Sequence, residues 1–83
     1  MEIRRTLRRV QDASERIETS RLMLKQAKES LRIRSNRFKE GMEKPADLSA
    51  AQSAFSNKQL IYYQSIYEYN LALAQLNFLT KEN

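Results

Sequence analysis

Gly41-Met42-Glu43-Lys44-Pro45 is the stretch whose reading decides the fold. It holds the only Gly and the only Pro of an 83-residue chain, almost at its midpoint. Glycine suits the left-handed position just past a helix end. Proline suits the first turn of a new helix, where its missing N–H costs nothing. Asp47 then falls at the third helical position, close to the positive end of the dipole. The punctuation predicts one domain over residues 1–83: a helix over about 3–39, a turn over 40–44 and a helix over about 45–80. At about 1.5 Å per residue each helix is roughly 50–55 Å long, and the short loop makes them antiparallel.

Outward from the turn, both helices carry a seven-residue period. Ile3, Val10, Ile17, Leu24, Leu31 and Phe38 form one column, with Thr6, Ala13, Ser20 and Ala27 three residues behind the first four. The second helix repeats this with Leu48, Phe55, Tyr62, Tyr69 and Leu76. Its small positions are Ala51, Ser65 and Ala72, and Lys58 interrupts them. Large and small columns alternating at 3.5 residues define a coiled-coil seam with closely approaching backbones. The fold class expected is all-α, a long antiparallel two-helix coiled-coil hairpin. One pair of helices leaves a surplus, because Ile66, Tyr67, Leu71, Leu73, Ala74, Phe78 and Leu79 surround the second half of helix two. A helix apolar nearly all round is buried nearly all round, so self-association or neighbours are expected.

Composition narrows the function. No Cys and no His are present, which removes zinc fingers, thiol nucleophiles and the common triads. A single Gly leaves no glycine-rich phosphate loop. Neither an enzyme nor a cofactor is expected. Net charge is +5, unevenly spread. Residues 1–44 hold 13 basic and 7 acidic side chains, and residues 45–83 hold 2 and 3. Arg4, Arg5, Arg8 and Arg9 form a basic strip that reads as a solvated face or as one paired with an acidic helix. No aromatic or base-reading residues interleave with it, so no nucleic acid is expected as partner. No secretory signal is visible, since Glu2, Arg4 and Arg5 follow Met1. Direct membrane insertion is not expected either. The longest uncharged run, Tyr69 to Thr80, is 12 residues, against roughly 18–20 for a span.

The residues around the turn resemble a known repeat. Arg37-Phe38-Lys39-Glu40-Gly41, then Asp47-Leu48, then Ala51-Gln52 is similar to the signature of TolC-type outer-membrane efflux channels. Tyr67-Glu68-Tyr69 followed by Leu71-Ala72-Leu73-Ala74 looks like the aromatic ending of that family's C-terminal repeat. The likeness covers most of the chain, most specifically residues 37–76, and only a minor part of a whole protomer. It implies a periplasmic segment of an outer-membrane protein, a stave of the α-helical barrel of a homotrimer. Its tip would dock the hairpin of a membrane-fusion adaptor in a tripartite efflux pump. Carried onto this chain, the adaptor-contact tip is Arg37, Phe38, Glu40, Gly41 and Met42, and the pore constriction is Asp47. The match has departures: Phe38 stands where Tyr is usual, Ala50 where a second constriction acid stands in some members, Pro45 for an aliphatic, and Lys81 for a closing Gly.

Three other readings share the seam. One is the adaptor's own α-helical hairpin, whose Arg, Leu and Ser tip pattern does not fall well on Arg37 to Ser53. A second is a basic nucleic-acid-binding coiled-coil hairpin, which steep salt dependence would reveal. A third is a generic oligomerisation module, which gives no reason for the residues flanking the turn.

Overall fold

The computed structural model describes residues 2–81. They form two helices, α1 (Glu2–Lys39) and α2 (Pro45–Lys81), folded back on each other as a rod of 64 × 15 × 13 Å. The two-helix hairpin expected from the sequence is the fold, and no strand occurs among the described residues.

Gly41 ends α1 as the punctuation requires. Its φ is +75°, the one positive φ among the described residues. The Met42 N–H donates to the Arg37 carbonyl at 2.8 Å, and the Gly41 N–H to the Phe38 carbonyl at 3.0 Å. These are the two reverse bonds of a Schellman motif, and they satisfy carbonyls a helix end otherwise leaves open. On the far side the Lys44 carbonyl accepts from the N–H groups of Asp47 and Leu48, at 3.0 and 3.1 Å. Pro45 therefore occupies the first helical position, where its fixed φ is already helical.

The buried residues are Thr6, Ala13 and Ser20 on α1 and Ala51, Ser65 and Ala72 on α2, all from the small columns. The large columns lie beside them and are half-buried from Val10 to Leu31 and from Leu48 to Leu76. The reason is geometric. Between only two helices the sole enclosed side chains are those aimed straight at the partner, and close backbones leave room there for small ones only. Large neighbours shade that line from one side and keep their outer edges in water. Ser20 and Ser65 fix the register, their Oγ atoms 3.0 Å apart. Each hydroxyl also reaches its own helix, Ser20 to the Ile17 carbonyl at 3.0 Å and Ser65 to the Tyr62 carbonyl at 2.7 Å. Two protons serve three short contacts, so both hydroxyls remain satisfied whichever way the central bond points.

From that register, residues whose numbers add to 85 lie at the same height: Ala13 with Ala72, Ala27 with Lys58, Arg34 with Ala51. In the Ala13–Ala72 and Ser20–Ser65 layers the seam is small against small, and Thr6 beyond them lies at the height of Leu79. Towards the tip the seam becomes small against long, and Ala27 is half-buried where Ala13 is buried.

Candidate docking tip

At the tip the last turn of α1, the loop and the first turn of α2 meet. Phe38 closes the large column of α1 with 42% of its surface exposed, since no further layer follows it. Glu40 is exposed in the turn itself. A Cβ placed on Gly41 would meet nothing within 4 Å, so the backbone there is bare and open to approach. Met42 is 59% exposed. In a Schellman motif the residue after the left-handed one commonly packs on an apolar side chain one turn back. Here those positions are Arg37 and Asn36, so the Met42 thioether lacks that apolar packing partner.

Glu43 is the structural centre of the turn. Its side chain is only 7% exposed, with Arg34 Nη1 at 2.7 Å and Arg37 Nε at 3.6 Å from its two carboxylate oxygens. The guanidiniums themselves keep about half their surface in water, which lowers the cost of bringing the carboxylate inward. The clasp ties the loop to α1 and holds the Arg37 side chain beside the turn. Neither Arg34 nor Glu43 stands out in the sequence analysis. The available signal was positional: Arg34 lies on the small column seven residues after Ala27, where a long side chain must run along the seam.

Of the residues singled out from sequence, Arg37, Phe38, Glu40, Gly41 and Met42 are all exposed, at the end of α1 and in the turn that follows it. Asp47 is exposed in the first turn of α2, on the other side of the loop in sequence. Tip charges nearly balance, with Arg34, Arg37, Lys39 and Lys44 against Glu40, Glu43 and Asp47. Among the described residues there is no cluster of three or more metal-ligating side chains, and no helix long and apolar enough to cross a membrane. Away from the tip, Arg16 bridges to Glu68 across the helices at 3.2 Å. Glu18–Arg21 and Glu29–Arg32 pair along α1, at 2.6 and 2.5 Å.

Comparison with known protein families, with characterised proteins and with solved structures finds no match to this chain.

Proposed function

We propose that the chain is a hairpin of the periplasmic α-barrel of a TolC-type outer-membrane efflux channel, and that its tip docks the hairpin of a membrane-fusion adaptor. The carrying observation is the bare elbow: an open Gly41 backbone with an exposed Met42 beside it and Phe38 one turn back. Close helix-tip contact needs a backbone without a Cβ in the way and a side chain that adapts its shape, and glycine and methionine supply these. The Glu43 clasp supports the reading by holding the elbow in one shape before binding, which spares ordering cost. In a threefold assembly Asp47 would occur three times around the axis and form a cation-attracting ring. The tip catalyses nothing; it contributes wall and docking surface.

The test is binding of isolated adaptor hairpins to the 83-residue chain and to tip variants. Gly41→Trp fills the open elbow, and Met42→Asp places a charge in the contact; each is expected to weaken binding at least tenfold. Leu22→Asp, on the outer face of α1, should leave it unchanged. No binding by the parent chain, or equal binding by all variants, overturns the proposal.

A further inference from the structure

A row of positive charge runs along the tip half of α1. Arg21, Lys25, Lys28, Arg32, Ser35 and Lys39 are spaced 4, 3, 4, 3 and 4 residues apart, a heptad rhythm over about 27 Å. Its five charged members are exposed, and Ser35 is half-buried. Each of the six stands one or four residues after a member of the large column: Ile17, Leu24, Leu31 or Phe38. That sets the row about 40–100° round the helix from the column, while the small seam lies about 60° to the other side. The row thus flanks the outer edges that the large column leaves in water.

Little in the chain neutralises this row. Glu18 and Glu29 hold Arg21 and Arg32 at 2.6 and 2.5 Å, both pairs exposed. Among the described residues Lys25, Lys28 and Lys39 enter no ion pair. At the same heights, residues 46–64 of α2 carry Asp47 and Lys58, which cancel. The same face in the terminal half of α1 reads Arg4, Leu7, Gln11, Ser14 and Glu18, one base against one acid. The excess charge belongs to the tip half alone.

We infer that this row is a docking strip for a partner helix, amphipathic and acidic, laid along α1 from Arg21 to Lys39. In coiled coils the residues flanking the apolar column choose the partner by charge. Here that flank is uniformly basic. Its complement is Glu or Asp at heptad spacing, beside apolar side chains that rest on Leu24, Leu31 and Phe38. A second copy of this chain does not supply it. With tips pointing the same way, Asp12, Glu15 and Glu18 stay in the terminal half, and the acids within α2, Asp47 and Glu68, stand 21 residues apart. Nucleic acid fits less well, since no aromatic side chain interleaves with the row. So does an anionic membrane, since Leu24 and Leu31 are half-buried in the hairpin and cannot enter lipid. The row ends before the turn, so a helix on it leaves Gly41 and Met42 free and fits beside hairpins whose tips share one direction.

The probe is a three-heptad peptide with Leu at both seam positions and Glu at both flanking positions, whose own charges keep it from pairing with itself. By fluorescence anisotropy it should bind the 83-residue chain, and weaken as salt rises from about 0.05 to 0.5 M. The same peptide with Lys for Glu should not bind. Lys25→Glu combined with Lys28→Glu, both at exposed positions, should remain helical by circular dichroism. It should weaken binding about tenfold, as two attractions become repulsions. Arg4→Glu, on the same face of the terminal half, should leave binding unchanged. Gly41→Trp should do so too, which keeps this result separate from that of the tip proposal. No binding of the Glu peptide, equal binding of the Lys peptide, or no loss in the double variant overturns the inference. Stronger binding to a DNA duplex or to phosphatidylserine vesicles than to the Glu peptide overturns it as well.

Discussion

The two ends of the hairpin solve the same problem, holding two helices together, with opposite chemistry. Towards the termini the seam itself is narrow and uncharged, Ala13 at the height of Ala72 and Ser20 bonded to Ser65, with the Arg16–Glu68 pair bridging the helices beside it. Towards the tip it is wide and charged, with Lys58 opposite Ala27, Arg34 opposite Ala51, and Glu43 drawn under two arginines. The narrow half depends on the absence of side-chain volume. The wide half depends on particular groups reaching one another. The same added or deleted atoms should therefore act differently at the two ends.

The largest contrast is expected from added volume. Ala13 is 1% exposed at the height of Ala72, whereas Ala27 is half-buried at the height of the flexible Lys58. Ala13→Leu should cost about 1–3 kcal/mol, the usual range for overpacking. For a chain of this size that lowers the midpoint of thermal unfolding by several degrees at the least. Ala27→Leu, able to lie along the lysine stem, should cost under about 0.5 kcal/mol, since changes away from tight packing are usually that small. Equal losses in a melting experiment would break the distinction between the halves.

Deletion should bite at the tip instead. Glu43→Ala leaves Arg34 and Arg37 without their carboxylate. Hydrogen bonds to charged groups contribute about 1.5–3 kcal/mol, and the half-exposed guanidiniums recover part of that from water. A loss of about 1 kcal/mol by denaturant titration is expected, with faster amide exchange at Met42. An unchanged stability would reduce the clasp to a surface pair. Gly41→Ala should cost slightly less. The left-handed conformation penalises a Cβ by about 1–2 kcal/mol. Alanine offsets some of this by restricting the unfolded chain, by about 0.4–1 kcal/mol. With nothing within 4 Å of the new methyl group, no clash adds to the balance. A loss well above 1 kcal/mol would mean that the elbow is more crowded than its geometry indicates.

The hairpin was legible because its signals agree: one Gly, one Pro, and two columns repeating at seven on both sides of them. Which column would be buried is less obvious, since composition favours Ile17 or Leu24 over Thr6 and Ser20. The answer follows from counting helices, as a pair encloses only one line of side chains. Glu43 was not legible. In sequence it is one charge among three in a loop, and its capture depends on Arg34 pointing along the seam, a consequence of register. The basic row of α1 was visible only as surplus positive charge. Its rhythm emerges once the large column is placed and each member is found one or four residues beyond it. The tip surface, by contrast, is contiguous in sequence from Arg37 to Met42, so any tight turn would bring it together.

The smallest effect separates both halves from the solvent face they share. An arginine hydrogen bond holds Glu18 and Glu29 below the ordinary carboxylate value of 4.5, from Arg21 and Arg32 respectively. A carboxylate whose folded value is depressed contributes stability above its unfolded value and loses it as pH falls through the folded one. The contribution of these pairs should therefore be present at neutral pH and disappear below about pH 4.5. Both pairs are fully exposed, so the loss should be slight and should also vanish in about 1 M salt. Melting curves of the parent and of Arg21→Gln and Arg32→Gln at pH 7 and pH 3 decide it. The variants should trail the parent a little at pH 7 and match it at pH 3. Glu18–Arg21 lies beside the narrow half and Glu29–Arg32 beside the wide one, and both pairs sit in water. They should therefore contribute alike, and a large difference between them would show that the contrast between the two ends reaches beyond the seam to the outer surface of α1.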